Sequence, residues 1–554
     1  MIETMRKPLR IAACLGLFVA SSGILHAGEI NAPFAQVPAS KVEQSGKVPE
    51  GLPEPALKVL ANEPDGGNAS LILEFDLESV KYPATPLGRL QLGVLERLTT
   101  KRAGQKPGGV RGAIHVVTSS ADQTAELVGS ACVSPAGIPT PYTLDVTRAV
   151  SEALARPAGQ RKLRLEVQMT GMPAYYEVYG LLTGADKKPP TLEIASPANW
   201  TRDWEQRLAP INRGPVVYRE ACMPIADSLE KEWTVPLLYP ARKIIEVIHN
   251  GTGEKLKEGR DWVLKDGKLV LPPGSHAPVQ LASDFFSMER KNKDGTTKKG
   301  PATIRLIEGT WYHVRQMEVT YEPVSRDWDL PAAVSSLDDL PRLKKLLAEK
   351  APIKVVLFGD SISVGGNASK FQAAWPYQPA FGELVAWQLQ RHYGSKVTLM
   401  NHSRGGAGVA FGASQAASQA GWFKPDLAII GYGMNDRGDN RKGTYRENLE
   451  KIIAAIRQES PATEFIVVTS MLNNPKQPSG LEPVQFLRDE ALKISLPGLA
   501  FADMTSTHLE LIKHKDYLAT SGNGANHPND FLQRIYAQRI LEILIPDKAS
   551  KPGK

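Results

Sequence analysis

The sequence predicts an α/β carboxyl-terminal domain with a parallel sheet, preceded by two β-sandwich-like modules. The chain has 554 residues, and roughly 150 residues per domain suggests about three or four units. Residues 55–330 contain short alternating apolar segments, whereas residues 331–554 alternate strand-like and helix-like runs. The 42% apolar and 23% charged residues are typical of a folded soluble protein, so we expect a large buried core.

Residues 1–27 have the pattern of a secretory signal peptide. Three basic residues precede an apolar run over residues 11–20, and small residues follow up to Ala27, where we expect cleavage. The run is shorter than the about 20 residues that span a bilayer, so we expect a secreted or periplasmic protein without a membrane span. Cleavage removes three basic side chains and one acidic side chain, which lowers the formal charge from +7 to +5. The charges are dispersed and no nucleic-acid motif occurs, so no nucleic-acid partner is expected.

A linker and a first β-rich module follow the signal peptide. Residues 28–54 are rich in Pro, Ala, Lys and Glu without apolar periodicity, which predicts a linker with little order. Residues 55–197 contain short alternating segments separated by turn-rich stretches, which favours a β-sandwich. The strands of this module are predicted at 70–77, 88–92, 113–117, 162–167 and 190–194.

One motif in the first module resembles a carbohydrate-associated domain. Residues 144–150, followed by a helix-like stretch and a strand, look like the "DNRLRE" type of β-sandwich. This resemblance implies a carbohydrate-binding module at residues 55–197. The alternative is that Asp145 and Thr147 simply cap a helix, and the sequence leaves both interpretations open.

Residues 198–330 predict a second, β-rich accessory module. Two strands at 262–264 and 268–271 flank an Asp266-Gly267 turn, which is a typical hairpin signal, and residues 317–321 predict another strand. The hairpin region is similar to β-sandwich modules that precede some polysaccharide-acting SGNH esterases. After loss of the signal peptide two cysteines remain, Cys132 and Cys222, which could pair in an oxidising compartment or stay separate.

Residues 331–554 predict a parallel sheet covered by helices on both faces. In such a sheet ligands bind at the carboxyl ends of the strands, so the residues after each strand are the candidates for function. Strands are predicted at 354–358, 397–400, 427–430, 465–469 and 499–501, and helices at 379–392, 445–457, 484–494 and 531–544.

Four polar blocks fall at this edge of the predicted sheet. They are residues 359–363, 401–406 and 433–436, each after a strand, and residues 526–530 before the last helix. A serine hydroxyl needs a nearby imidazole to take its proton, and the oxyanion that forms needs preorganised donors. A serine, a histidine, a glycine backbone and an uncharged amide, all present in these blocks, are the parts that acyl transfer requires.

These blocks resemble the four signatures of the SGNH (GDSL-like) hydrolase family, which has a flavodoxin-like fold. The resemblance implies that Ser361 is the nucleophile, that His527 is the general base, and that no cofactor or metal is needed. It also implies oxyanion donors from the backbones of Ser361 and Gly406 and from the amide of Asn435. Taken singly, these residues could instead cap a helix, permit turns or lie on the surface.

The sequence departs from the family at one position. The family places an aspartate three residues before its histidine, and here that residue is Gly524. A backbone carbonyl could orient His527 as part of a dyad. We favour a dyad because the usual acid position is glycine and because Asn523 and Asn526 offer backbone and amide oxygens nearby. Alternatively, an acid could come from elsewhere in the domain. The candidates are Asp503, Asp516 and Asp530.

The function that these features favour is an exported serine esterase acting on O-acyl esters, above all O-acetyl esters, of a polysaccharide or oligosaccharide. Export and two β-rich modules ahead of the catalytic domain support this hypothesis. A lipid esterase or lysophospholipase is a second hypothesis, although it would gain little from sandwich modules. A glycan-binding protein with a catalytically weak hydrolase domain is a third, because the usual aspartate is missing.

Overall fold

The predicted signal peptide at residues 1–27 lies outside the part of the chain that the structure describes. No described helix is both long enough and apolar enough to cross a membrane. The computed structural model describes residues 35–45, 58–62, 70–80, 87–97, 112–118, 126–133, 140–171, 174–179, 190–195, 203–282, 286–291, 297–304, 306–372, 374–438, 443–477 and 480–545.

The amino-terminal region contains two antiparallel sheets. One has the order β1-β11-β5-β10-β3, with β8 also paired to β5, and the other has the order β2-β4-β9-β6-β7. One helix, α1 (Thr147–Leu154), accompanies them. The strands are β1 (Ala35–Pro38), β2 (Lys41–Ser45), β3 (Lys58–Asn62), β4 (Ser70–Asp76), β5 (Leu87–Arg97), β6 (Gly112–Thr118), β7 (Glu126–Val133), β8 (Thr140–Asp145), β9 (Lys162–Gly171), β10 (Ala174–Tyr179) and β11 (Thr191–Ala195).

The two sheets bury one hydrophobic cluster between them. Alternate residues of β4 point inward, and Leu71 and Phe75 are fully buried against Leu90 of the other sheet. This sandwich-like arrangement agrees with the predicted fold class. Helix α1 begins after Val146 without a side-chain cap. Thr147 bonds instead to the backbone N–H and C=O of Gly88 in β5, so it fixes the helix to the sheet.

The linker prediction for residues 28–54 is wrong over residues 35–45. Strand β1 pairs with β11, and β2 pairs with β4, both in antiparallel register. A strand at the edge of a sheet pairs with only one neighbour and needs few apolar side chains. In β1 and β2, the side chains that pack on the core are Val37 and Val42. Their sequence therefore lacks the periodicity that reveals a strand.

The described residues between 203 and 330, within the second predicted module, contain small sheets and a short helix, α2 (Trp204–Arg207). Strand β21 lies between β12 and β15, β17 lies between β14 and β16, and β13–β18 and β19–β20 form pairs. In the predicted hairpin, Asp266 and Gly267 both have positive φ, as a tight two-residue turn requires. The strands are β12 (Val217–Cys222), β13 (Ile225–Ala226), β14 (Trp233–Val235), β15 (Ala241–His249), β16 (Val263–Lys265), β17 (Lys268–Leu271), β18 (Gln280–Leu281), β19 (Phe286–Lys291), β20 (Thr297–Ile304) and β21 (Met317–Pro323).

The carboxyl-terminal domain is a five-stranded parallel sheet with the order β23-β22-β24-β25-β26, which is the flavodoxin-like order. All five strands coincide with predicted strands. They are β22 (Ile353–Gly359), β23 (Val397–Asn401), β24 (Leu427–Gly431), β25 (Glu464–Val468) and β26 (Leu499–Ala502). The helices are α3 (Pro341–Ala348), α4 (Ser361–Val364), α5 (Phe381–Tyr393), α6 (Val409–Gln419), α7 (Tyr445–Glu459), α8 (Glu482–Ala491), α9 (Met504–His514) and α10 (Asp530–Leu544).

The two faces of this sheet bury different clusters. Val356 and Phe358 of β22 pack with α6 and α7 on one face. Val355 and Leu357 face the other side, where the cluster continues into the second module and includes Tyr321 of β21. The second module and the carboxyl-terminal domain therefore share one hydrophobic core.

A buried ion pair also joins these two parts. Lys515 Nζ lies 2.5 Å from Glu220 Oε1, and both side chains are almost completely buried. Glu220 accepts further hydrogen bonds from the backbone N–H of Leu238 and the hydroxyl of Tyr321. Cys222 is buried beside Lys515 and is a free thiol. The Cys132 side chain lies outside the described residues.

Candidate active site

The first polar block places Ser361 at the carboxyl end of strand β22, which lies between β23 and β24. Asp360 begins α4 by accepting a 2.9 Å hydrogen bond from the backbone N–H of Ile362. Gly359 is required there because a Cβ would lie 2.3 Å from the carbonyl oxygen of Gly431. Asp360 is buried, and burial raises the pKa of its carboxyl group to about 7.

The fourth block brings His527 to this serine. The distance between Ser361 Oγ and His527 Nε2 is 2.8 Å, which is a hydrogen bond. The loop before α10 holds the histidine backbone, since His527 N–H donates to Asn523 Oδ1 and its carbonyl accepts from the N–H of Gly522. The structure therefore joins the two residues for which catalytic roles were predicted.

The other ring nitrogen of His527 faces two acceptors. Its Nδ1 lies 2.7 Å from Asn367 Oδ1 and 3.3 Å from Glu308 Oε2. Asn367 uses its amide nitrogen for the carbonyls of Gly309 and Gly522, so its oxygen must face the ring. Nδ1 must then carry the proton, which leaves Nε2 free to accept the hydrogen of the Ser361 hydroxyl.

The nearest acceptor of His527 Nδ1 is the side-chain amide oxygen of Asn367 rather than a backbone carbonyl or an oxygen of Asn523 or Asn526, and the predicted acids bind other groups. Asn523 Oδ1 accepts from backbone N–H groups of its own loop. Asp503 pairs with Arg488 and caps α9. The carboxylates of Asp516 and Asp530 accept from the backbone N–H groups of Leu518 and Ser369.

Sequence reasoning missed Glu308 and Asn367. Asn367 follows two glycines in the turn after the nucleophile and has a φ of 64°, a left-handed conformation that asparagine tolerates well. A Gly-Gly-Asn turn six residues after the serine is a signal that could have found it. Glu308 has no comparable signal, because it belongs to the second module and reaches His527 only through tertiary structure.

The Glu308 side chain is half-exposed and is held at the site by Asn523, whose amide donates a 2.9 Å hydrogen bond to Oε1. Burial by itself would raise the pKa of the Glu308 carboxyl group. The hydrogen bond and charge of His527, together with the amides of Asn523 and Asn367, outweigh that effect and hold the pKa below its ordinary value. Glu308 is therefore a negative charge beside the imidazole at neutral pH.

The second and third blocks lie beside the nucleophile. A Cβ added to Gly405 would lie 3.9 Å from the Cβ of Ser361, and the next residue, Gly406, has a φ of 73° that favours glycine. The amide of Asn435 donates a 3.0 Å hydrogen bond to the carbonyl of Ala407. The loops that carry Gly406 and Asn435, the predicted oxyanion donors, are therefore in contact.

Part of this chain is similar to known hydrolases. Residues 357–535 match the GDSL-like lipase/acylhydrolase family. A two-domain esterase active on acetylated mannans, co-crystallised with mannopentaose, shares 17% identity and a TM-score of 0.31 over 38% of this chain, which spans 54% of the length of that protein. An acetylxylan esterase from Geobacillus stearothermophilus shares 18% identity and a TM-score of 0.30, over 36% of this chain and 96% of that one. A lipase/acylhydrolase from Enterococcus faecalis shares 22% identity and a TM-score of 0.27, over 34% and 95% respectively. No curated protein sequence matches the chain.

Proposed function

We propose, on the premise that residues 357–535 form a GDSL-like lipase/acylhydrolase domain, that this chain is an exported serine esterase. Its substrate is an O-acyl ester, specifically an O-acetyl ester, carried on a polysaccharide. The observation that carries the proposal is the 2.8 Å hydrogen bond between Ser361 Oγ and His527 Nε2. A serine hydroxyl so placed loses its proton to the imidazole as it attacks a carbonyl carbon.

The reaction proceeds in two halves. In the first, Ser361 Oγ bonds to the ester carbonyl carbon while its proton passes to His527. The N–H groups of Ser361 and Gly406 and the amide of Asn435 bind the oxyanion. His527 then returns the proton to the leaving sugar oxygen, which leaves an acyl group on the serine. In the second half, water gives a proton to His527 and attacks the acyl carbon. His527 then returns this proton to Ser361 Oγ as the bond between Ser361 and the acyl group breaks, which releases the carboxylic acid.

The exposure of the site supports a polymer-bound ester. Gly405 and Gly406, which flank the nucleophile, are exposed, so a short acyl group on a large sugar chain can reach Ser361 from solvent. The resemblance of the motif at residues 144–150 and of the hairpin region to carbohydrate-associated modules also favours a glycan. The proposal of export rests on residues 1–27, and it predicts that the protein recovered outside the cytoplasm begins at Gly28.

The test compares an acetylated polysaccharide with a long-chain p-nitrophenyl ester. We expect acetate release from the polysaccharide by the wild type, and none by a folded Ser361→Ala variant, because this substitution removes the attacking oxygen. Ser414→Ala, on the exposed surface of α6, is the matched control and should keep full turnover.

Each other outcome contradicts part of the proposal. Hydrolysis of only the long-chain ester would identify a lipid esterase. Glycan binding without hydrolysis of either substrate would identify a binding protein. Wild-type turnover by Ser361→Ala would remove this residue as the nucleophile.

A further inference from the structure

We propose that Asn367 and Glu308 divide the work that a single aspartate performs in an ordinary Ser-His-Asp triad. Asn367 fixes the tautomer and orientation of His527, and Glu308 supplies the negative charge. Because Glu308 belongs to the second module, that module is part of the active site. The inference rests on the proposed function, and it assigns both residues positioning and electrostatic roles rather than contact with the substrate.

The first step concerns the amide of Asn367. Replacing the triad aspartate by asparagine costs about 10⁴-fold in a well-studied serine protease because the histidine takes the wrong tautomer. That failure requires the amide nitrogen to face the imidazole. Here this nitrogen donates to two carbonyls, those of Gly309 at 3.1 Å and Gly522 at 3.2 Å. Only the oxygen of Asn367 can accept from His527 Nδ1, so this asparagine selects the productive tautomer.

The second step concerns charge, which an amide cannot provide. Glu308 Oε2 lies 3.3 Å from His527 Nδ1, close enough to stabilise the imidazolium that forms when the serine gives up its proton. Asn523 fixes Glu308 by a side-chain bond and accepts the N–H of Ile307. Among the described acids, Asp360 also interacts electrostatically with His527, from the side of the nucleophile, but burial favours the protonated form of Asp360 by raising its pKa to about 7.

The third step concerns how the second module is held at the site. Gln316 is buried between the two parts and donates to the carbonyls of Leu518 and Ser521. Its own oxygen accepts from the amide of Asn529, at the start of α10. These bonds attach the second module to the loop that ends at the histidine. Both the Gly309 carbonyl and Glu308 come from this module, so it controls the orientation of Asn367 as well as the charge.

The test measures the pH–rate profile of the full-length protein with p-nitrophenyl acetate. For Glu308→Gln we expect kcat to fall about 10- to 100-fold with little change in KM. Solvent weakens the attraction between half-exposed Glu308 and the imidazolium of His527, but the short distance between them preserves part of it. The acid limb of the profile should move to lower pH, because the imidazolium loses a neighbouring negative charge. Glu258→Gln, an exposed glutamate of the same module, is the matched control and should leave the profile unchanged.

The companion variant is Asn367→Ala, which should lower kcat more than Glu308→Gln because the imidazole loses its orientation as well as its tautomer. Added salt should reduce the kcat of the wild type by screening Glu308, and it should have little effect on Glu308→Gln. Thermal unfolding identifies any variant that simply fails to fold.

A serine-reactive phosphonate separates this inference from the proposed function. Slow labelling of Ser361 in Glu308→Gln, with fast labelling in the wild type, supports both. A wild type that is neither labelled nor active would reject the proposed function itself. An active wild type with an unchanged kcat and acid limb in Glu308→Gln would overturn the role of Glu308, and so would a loss of thermal stability without a shift in the profile.

Discussion

The candidate active site combines two regions that hold their residues in different ways. The carboxyl edge of the parallel sheet carries Ser361 and His527, and each is fixed by its own helix start or loop. The loop of the second module carries Glu308, which reaches the site only because two modules share a core. This comparison shows that the proposed nucleophile and base can be local features of a sequence, while the charge proposed to support them comes from a separate module.

The shared core allows a residue of the second module to hold a fixed position beside His527. A hydrogen-bonding geometry of about 3 Å requires that the two parts do not move relative to each other. Besides the hydrophobic cluster, Arg534 and Gln538 of α10 donate to backbone carbonyls of Arg219 and Ala209 in the second module. The interface therefore resembles the interior of one domain.

The largest expected effect comes from breaking this interface at its buried ion pair. Lys515→Met leaves the Glu220 carboxylate buried without its cation, which should lower the free energy of unfolding by about 3–5 kcal/mol. Lys513→Met removes an exposed partner of Glu510 and should cost less than about 1 kcal/mol. Chemical denaturation measures both. Equal losses would mean that the buried pair does not hold the modules together.

The next largest effect is expected at the carboxyl edge of the sheet, from the loss of the proposed oxyanion donor Asn435. Asn435→Ala should reduce kcat by about 10²- to 10³-fold, equivalent to about 2.7–4 kcal/mol, because the amide is proposed to bind charge that exists only in the transition state. Steady-state kinetics with p-nitrophenyl acetate separate kcat from KM. Asn448→Ala, a partly exposed residue of α7 whose amide bonds only within the same helix start, is the control. An effect on KM alone would remove Asn435 from the oxyanion hole.

The sheet edge could be predicted from sequence because its signals are local. The five strands are apolar runs, and three of the four functional blocks follow a strand, as Asp360 and Ser361 follow β22, while the fourth precedes α10. Helix α6 was not predicted because its buried face consists of small residues such as Gly412 and Ala416. Their small size matters, since a Cβ on Gly412 would lie 2.7 Å from the ring of Tyr432.

Glu308 could not be predicted, for a physical reason. Its loop has no periodicity or motif, and its contact with His527 depends on how two modules pack, which a single sequence does not encode in any short window. The same reason explains the linker error at residues 35–45, where pairing with distant strands creates β1 and β2.

A smaller effect contrasts the two acids near His527, which are Asp360 from the sheet edge and Glu308 from the second module. Burial raises the pKa of Asp360 to about 7, above its unfolded value of 3.8, so the folded state favours the protonated form. Its contribution to stability is complete below about pH 4 and is lost as pH rises through about 7. Asp360→Asn should remove this decline, by at most about 1.4 kcal/mol per pH unit. Denaturation at pH 5 and pH 8 measures the difference, and identical slopes in both proteins would contradict the buried, protonated state.

The smallest effect is expected from Asp516→Asn, which tests whether an acid of the catalytic domain could replace Glu308. The Asp516 carboxylate accepts a 2.8 Å hydrogen bond from the N–H of Leu518 at the start of a short turn. An asparagine oxygen can accept the same bond, so turnover and stability should change by less than about twofold and about 0.5 kcal/mol. Asp516→Asn and Glu308→Gln are measured in the same assay, because each replaces a carboxylate by an amide, one in the carboxyl-terminal domain and one in the second module. If Asp516→Asn lost turnover by orders of magnitude and Glu308→Gln did not, the acid that supports His527 would belong to the carboxyl-terminal domain and not to the second module.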